Sequence, residues 1–305
     1  MVIEPLNSKP NPRFSRRDFL KLMKIASFGI LVAAVGNSIK NILETDWIEI
    51  NQIPLVLPRL PASFNGLRLA QISDIHLGGW MNVTRMKHAF DVLESLKPDL
   101  IAITGDFIMS SRWYTVQTIG LPELEQRLKR LTMEFPTLAV LGNHEHRIGR
   151  TGIITDLLNR SGVRTLMNDV HEIKNGYDSL TIAGVDDVFE GFANLDRVMS
   201  LLPQKGCAIM LAHEPDFADK SATTGRFDLQ LSGHSHGGQV ILPFLGSPVL
   251  PELGRKYPMG LYKIGDMYQY TNRGVGRIRP SIRINCMAEI TVFTFQSQSQ
   301  PDKFH

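Results

Sequence analysis

The feature that most restricts the fold is a set of five short apolar runs, each closed by Asp, Asn or His. Leu67 to Ile72 runs into Ser73-Asp74-Ile75-His76, and Leu100 to Ile103 into Thr104-Gly105-Asp106. Leu138 to Leu141 runs into Gly142-Asn143-His144-Glu145, and Cys207 to Ala212 into His213-Glu214-Pro215. Asp228 to Ser232 runs into Gly233-His234-Ser235-His236-Gly237-Gly238-Gln239. Runs this short, bounded by turn residues, read as buried strands. Helical spacing is predicted over 82–96, with Asn82 as its cap, and over 124–131 and 153–158. Trp47 to Leu57 alternates up to Pro58 and reads as an edge strand. Further strands are predicted at 163–167, 179–184, 207–212, 228–232, 239–242, 260–264, 267–271, 281–285 and 288–295. Alternating strands and helices followed by a strand-rich half predict an α/β sandwich with mixed sheets.

Ligands of open α/β sheets bind beyond the carboxyl ends of the strands. Here five such ends carry Asp, His and Asn, and five of the nine histidines fall in these segments. Asp, His and Asn without Cys suit a divalent ion such as Mn, Fe or Zn. Asp74-x-His76 and His234-x-His236 each offer two groups on one face of an extended segment. Seven candidate ligands exceed one coordination sphere and suffice for two if a carboxylate is shared. Two ions about 3.5–4 Å apart can clamp the attacking and leaving oxygens of a phosphoryl displacement. Cys207 and Cys286, the only cysteines, exclude a disulfide scaffold and a Cys-rich zinc site; one bridge or none remains open.

The ordered set Asp74-x-His76, Gly105-Asp106, Gly142-Asn143-His144-Glu145, His213 and Gly233-His234-x-His236 resembles the calcineurin-like metallophosphoesterases, over about residues 67–295. Gly233-His234-Ser235-His236-Gly237-Gly238-Gln239, Asn272-Arg273-Gly274-Val275-Gly276 and Arg283-Ile284-Asn285-Cys286 resemble a branch of exported or membrane-associated bacterial phosphoesterases. The resemblance implies a four-layer sandwich of two mixed β-sheets flanked by helices, with a dinuclear metal site at the strand ends. It implies that Asp74, His76 and His236 hold one divalent ion, that Asn143, His213 and His234 hold the other, and that Asp106 bridges them. A hydroxide between the ions then attacks phosphorus. His144 binds the phosphate or protonates the leaving group, and Glu145 orients His144. Arg273, with Asn272 beside it, either braces a loop or meets a substrate phosphate. His146 and His171 are expected to be solvated.

The chain carries 33 Lys and Arg against 30 Asp and Glu. Six of those bases and two of the acids lie in residues 1–36, leaving 27 bases against 28 acids. The body therefore has no nucleic-acid footprint in its charge, and no nucleic-acid partner is expected. Ser15-Arg16-Arg17-Asp18-Phe19-Leu20-Lys21 precedes an uncharged run, Ile25 to Val35. A basic stretch before a short apolar run is the layout of an export signal. The arginine pair resembles the twin-arginine signal, which implies the twin-arginine translocation machinery as a partner. Residues 1–38 are thus expected to be an export signal or an N-terminal membrane anchor, 47–297 the metallophosphoesterase domain, and 298–305 a flexible tail.

The function expected is a dinuclear, metal-dependent phosphohydrolase of the cell envelope, a phosphodiesterase whose ester substrate is lipid-linked in one reading. A UDP-diacylglucosamine pyrophosphatase-type reaction is the alternative within the family. A non-catalytic metal-binding envelope protein is the alternative outside it. The Pro-rich apolar stretch 242–259 is either a stiffened packed loop or an apolar wall beside the site.

Overall fold

In a computed structural model the described residues are 47–110, 120–147, 149 and 151–298, with 21, 23, 24 and 29 near the N-terminus. The chain divides into two compact units, Met1–Thr45 and Asp46–His305. In the first, Lys21, Met23, Lys24 and Gly29 are helical. The arginine pair and the run 25–35, apart from Gly29, lie outside the described residues, as does all of the 298–305 tail but Gln298. Among the described residues no helix is long and apolar enough to cross a membrane.

Among the described residues the second unit holds twelve strands in two sheets of six. In the first, β1 (Ile48–Leu57) lies at one edge beside β12 (Ala288–Ser297). Next come β2 (Arg68–Ile72), β3 (Leu100–Thr104), β4 (Thr137–Val140) and β5 (Arg164–Thr165). All neighbours there are parallel except β12 and β2. The second sheet runs from β10 (Gly260–Ile264) through β11 (Met267–Thr271), β9 (Leu229–Ser232) and β8 (Cys207–Leu211) to β7 (Asp178–Gly184) and β6 (Asp169–Asn175). Its two outer pairs are antiparallel hairpins and its centre is parallel.

Side-chain alternation sorts the strand residues into layers. Leu100, Leu138, Ile209 and Leu231 face inward, into one apolar cluster shared by both sheets. Their neighbours Ile101 and Ala139 turn outward onto α1 (Val83–Ser95), α2 (Gly120–Glu134) and α4 (Thr151–Arg160). Ala208 and Met210 turn outward toward α5 (Leu195–Leu201) and α6 (Ala218–Thr223). The fold is a four-layer α/β sandwich. Asn82 caps α1 as expected, its side chain accepting from Arg85 N–H at 2.9 Å.

Three expectations are corrected. Segments 239–242 and 281–285 are not strands; a single bridge joins Val240 to Ile284. Gln239 diverts that chain, at φ 58°, with its side chain bound to Ile278 N and to the Ile278 and Pro280 carbonyls. Strand β6 is additional: it joins β7 through the two-residue turn Gly176-Tyr177, with Gly176 at φ 62°. Helices α5 and α6 are additional too, each too short for periodicity to mark them. Cys207 and Cys286 are both buried and free.

Candidate metal centre

Five of the seven proposed ligands sit in left-handed backbone: Asp74 at φ 51°, His76 at 50°, Asp106 at 55°, His234 at 68° and His236 at 51°. Such residues cost about 1–3 kcal/mol each and persist where their surroundings hold them. Here the strand ends lock one another. Asp74 N–H donates to Gly105 O at 3.1 Å, and His76 N–H to Asp106 O at 2.9 Å. Gly276 N–H donates to Asp74 O at 2.8 Å. His234 N–H meets both Asp74 carboxylate oxygens at 3.1 Å. The turns aim side chains from both sheets into one buried space.

Two groups of side chains flank Asp106. On one side His76 Nε2 and His236 Nε2 are 2.9 Å apart. Asp74 Oδ1 lies 3.3 Å from His236 Nε2, and Asp106 Oδ2 lies 3.6 Å from His76 Nε2. On the other, His213 Nε2 is 3.1 Å from Asp106 Oδ2, and His234 Nδ1 is 3.0 Å from Asn143 Oδ1.

The far ring nitrogens set the tautomers. His213 Nδ1 donates to Thr104 O at 2.6 Å, and His234 Nε2 to Glu252 O at 2.8 Å. Each therefore turns its other ring nitrogen inward, toward an acceptor oxygen. That is the arrangement in which a carbonyl orients a metal-binding imidazole. Burial lowers His76 and His234 to about 3 and His236 well below its ordinary value, so all three are neutral. Burial would lower His213 as well, but the Asp106 carboxylate outweighs it and holds His213 well above the usual range. Burial pushes Asp74 up to about 7. Asp106 is held well below the carboxylate range: His213 and His144 overcome its burial. Three neutral imidazoles, a fourth whose Nε2 proton a bound ion would displace, and two buried carboxylates fit divalent ions.

His144 opens the centre to the outside. Its N–H donates to Asp106 Oδ1 at 3.0 Å, and its Nδ1 accepts from Ser110 N–H at 2.8 Å. The ring proton is thus on Nε2, 3.9 Å from Asp106 Oδ2. Burial lowers the His144 pKa, which keeps the ring neutral.

Glu145 does not orient the His144 ring. Gly142 caps α3 (Asn143–Arg147), and Glu145, third in that helix, reaches back to Gly142 N–H at 2.9 Å. This is the carboxylate half of a capping box. The same carboxylate accepts from Asp106 N–H at 3.2 Å and Ile108 N–H at 3.1 Å, so it ties the Asp106 turn to the Asn143 turn.

Arg273 and Asn272 are not aimed at the centre either. Arg273 pairs with Glu289 of β12 and with Glu49 of β1, at 2.8 Å for Glu49. Asn272 is buried, bound to Thr291 Oγ1 and Gly274 N–H. Both brace the loop that lies over Asp74. His146 is not solvated: its Nε2 is 2.9 Å from Asp186 Oδ1 and its ring stacks on Phe192 at 4.5 Å.

Two buried residues gain places that sequence reasoning did not assign. Arg283 donates to the carbonyls of Arg273, Gly274 and Gly276 at 2.7–2.9 Å and lies 3.5 Å from His236 Nδ1. Glu214 can join His213 and His234 around an ion, and also accepts from Val188 N–H at 3.1 Å. The adjacency of Glu214 to His213 was the available signal; Arg283 was marked only by the Arg283-Ile284-Asn285-Cys286 resemblance, which assigns it no role, and most of its partners are backbone carbonyls.

The sequence model of the calcineurin-like phosphoesterase family matches residues 67–238. An uncharacterized metallophosphoesterase, YkuE, of Bacillus subtilis (strain 168) is 34% identical over 294 residues, covering 93% of this chain and 99% of that protein. Phosphodiesterase YaeI of Escherichia coli (strain K12) is 27% identical over 281 residues, covering 91% and 98%. A metallophosphoesterase of Aquifex aeolicus (strain VF5) is 30% identical over 263 residues, covering 84% and 95%.

Proposed function

The chain belongs to the calcineurin-like phosphoesterases, hydrolases of phosphoric esters that use divalent metal ions, and on that premise we propose that it cleaves phosphodiesters at a dinuclear centre. The carrying observation is the convergence of six polar side chains around the carboxylate of Asp106, the seven coming from five strand ends in two sheets. Asp74, His76 and His236 would hold one ion, and Asn143, His213 and His234 the other, with Asp106 common to both. When bound, the ions supply an activated water and offset the charge of the phosphate.

The protein's own groups do the rest. Glu145 holds the Asp106 and Asn143 turns together, which fixes the spacing of the two ligand groups. His144 presents Nε2–H beside Asp106. From there it can donate a hydrogen bond to a phosphate oxygen or to the oxygen of the departing group, offsetting the charge that builds there. The buried surroundings exclude competing water and strengthen each of these contacts. Manganese, iron and zinc all suit the donor set.

The test is hydrolysis of bis(4-nitrophenyl) phosphate by the full chain loaded with Mn²⁺, with metal content measured alongside. Two ions per chain and activity abolished by a chelator are expected. Two ions with no hydrolysis of any mono- or diester would make the protein a non-catalytic metal binder. Comparison with 4-nitrophenyl phosphate decides between diester and monoester preference.

We further propose that the enzyme works in the cell envelope, on the support of the arginine pair and the apolar run behind it. Arg16→Lys with Arg17→Lys should keep it in the cytoplasm and leave its activity in lysates unchanged. Normal export of that variant would remove the twin-arginine reading. A lipid-borne substrate has narrower support: Phe244, Leu245 and Val249 are strongly exposed on the Pro-rich stretch, but none of them lines the cleft beside His144.

A further inference from the structure

Beside His144, the segments following β2 and β3 and residues 277–281 enclose a cleft of about 280 Å³. Trp80, Met109 and Ile278 supply its apolar wall, and Arg147 and Arg279 its charge. The described lining residues include no carboxylate. His144 is the shared partition: its ring lies 4.4 Å from the ring of His76. A substituent on a phosphorus bound at Asp106 would leave the metal centre past this ring.

Three properties narrow what the cleft can take. The first is the state of Trp80. The guanidinium of Arg85 lies 4.4 Å from its ring centre and that of Arg277 lies 4.0 Å away. Arg85 also donates to Trp80 O at 3.1 Å, and Arg277 to Ser281 O at 3.2 Å. An indole stacked by two cations has little face left for a nucleobase, so the site is not a base-stacking platform. The second is size, since pockets for drug-sized ligands hold about 300–1,000 Å³. This one falls just below that range, which suits a short arm rather than a large group. The third is charge. Glu190 accepts from Arg147 Nε at 2.9 Å, and the Phe189 ring centre lies 4.4 Å from the same guanidinium, so the group is held on two sides. A guanidinium anchored by Glu190 and Phe189 in the lining of a small cleft, with a second one in the same lining, matches the fork geometry of carboxylate or phosphate oxygens.

We propose that this cleft is a subsite for a second oxyanion, carried a few bonds from the scissile phosphorus on one substituent of the substrate. The proposal rests on the phosphohydrolase reading for the placement of that phosphorus. It names the substrate class: a phosphodiester whose short arm ends in a carboxylate or a further phosphate, not one ending in a base or a neutral alkyl chain. Arg279 and Arg147 become the specificity-determining residues.

The experiment is calorimetric titration of the Mn²⁺-loaded full chain with propyl phosphate, 2-carboxyethyl phosphate and propane-1,3-diyl bisphosphate. At least one doubly anionic ligand should bind tenfold or more tightly than propyl phosphate, and the arm that does so identifies carboxylate or phosphate. Arg279→Gln should shrink that ratio to about threefold or less, and Arg279→Lys should keep more of it than Gln. Equal affinities in the wild type overturn the proposal. So does a ratio unchanged in both Arg279→Gln and Arg147→Gln. Hydrolysis of ethyl 4-nitrophenyl phosphate by the same preparation separates the two readings. Turnover with equal affinities removes the subsite alone, and an affinity gap without turnover removes the hydrolase reading while leaving an oxyanion site.

Discussion

Replacing Gly142 with alanine isolates the geometry of the Asp106 carboxylate from its chemistry, because no ligand is changed. Gly142 has no left-handed φ to lose, so the whole effect is steric. A Cβ built there would lie 2.8 Å from Asp106 N and 2.9 Å from Asp106 Cγ, and nearer still to Oδ1. Carbon atoms pack best at about 3.5–4.0 Å, so the carboxylate must give by roughly 0.6–1 Å. The backbone amide on its other side cannot. Overpacking of this kind costs about 1–3 kcal/mol of stability. A displacement of about 1 Å at a reacting centre can cost about 10²-fold in rate, which is about 2.7 kcal/mol of barrier. The expected result is a kcat/KM for bis(4-nitrophenyl) phosphate lowered about 10²-fold. Excess Mn²⁺ should restore only the part due to weakened metal affinity. Gly149→Ala is the control: its Cβ meets nothing within 4 Å, although its φ of 62° is strained. It should lower the Tm slightly and leave kcat/KM alone. Should Gly142→Ala keep its metal and stay within threefold of wild type, Asp106 does not set the geometry of the centre.

Three further outcomes follow from the same contacts. Asp106→Asn removes the charge that His213 faces at 3.1 Å; it should lose most activity and more metal affinity than the ~10–100-fold expected for an outer partner, and two retained ions with full activity would refute the shared-ligand role. His144→Ala should keep both ions while losing about 10²–10⁴-fold in rate, less for nitrophenyl esters whose leaving group needs no proton; parallel loss of metal in elemental analysis would make His144 a ligand instead. For His146, burial acts to lower the pKa, but the bond to Asp186 prevails and the pKa is raised. Its contribution to stability is therefore full below the unfolded value of about 6.5 and disappears as pH rises through the folded value; Asp186→Asn should flatten that part of the Tm-against-pH curve, and an unchanged curve would refute the pairing.

The parts legible in the sequence were those decided locally. An apolar run of four to six residues ending at Asp or His needs no distant partner to be read as a buried strand with a polar terminus, and β2, β3, β4, β8 and β9 follow that reading. The illegible parts depend on partners far along the chain. Arg273 is braced by Glu49, 224 residues away, and no spacing rule reaches that far. Glu145 is an intermediate case. Its capping contact to Gly142 is local and follows the pattern of a helix start, but its bonds to Asp106 and Ile108 exist only because β3 and β4 are neighbours. Strand β6 was marked by Asn175-Gly176, a hairpin signal that its polar exposed face concealed.

The glycines show where the centre keeps its precision. Gly233, Gly274 and Gly276 press on Asp74: a Cβ at Gly274 would meet Asp74 Cβ at 2.6 Å, and one at Gly276 would meet Asp74 O at 2.5 Å. Gly142 presses on Asp106, and Gly105 on His213, where a Cβ would lie 2.5 Å from Nδ1. Three of these five glycines, Gly142, Gly233 and Gly274, therefore bear on the two carboxylates, and Gly276 bears on the backbone of Asp74. The histidines are managed differently, His213 and His234 each by one carbonyl on the far ring nitrogen. A carbonyl fixes the direction of a ring nitrogen, whereas backbone packed against a carboxylate fixes its position. The two acids thus set the distances, and the imidazoles complete the coordination around them. Gly105-Asp106 and Gly142-Asn143 read, on this argument, as packing motifs as much as ligand motifs: bare backbone beside each acid is what allows two sheets to bring seven polar groups into one buried space.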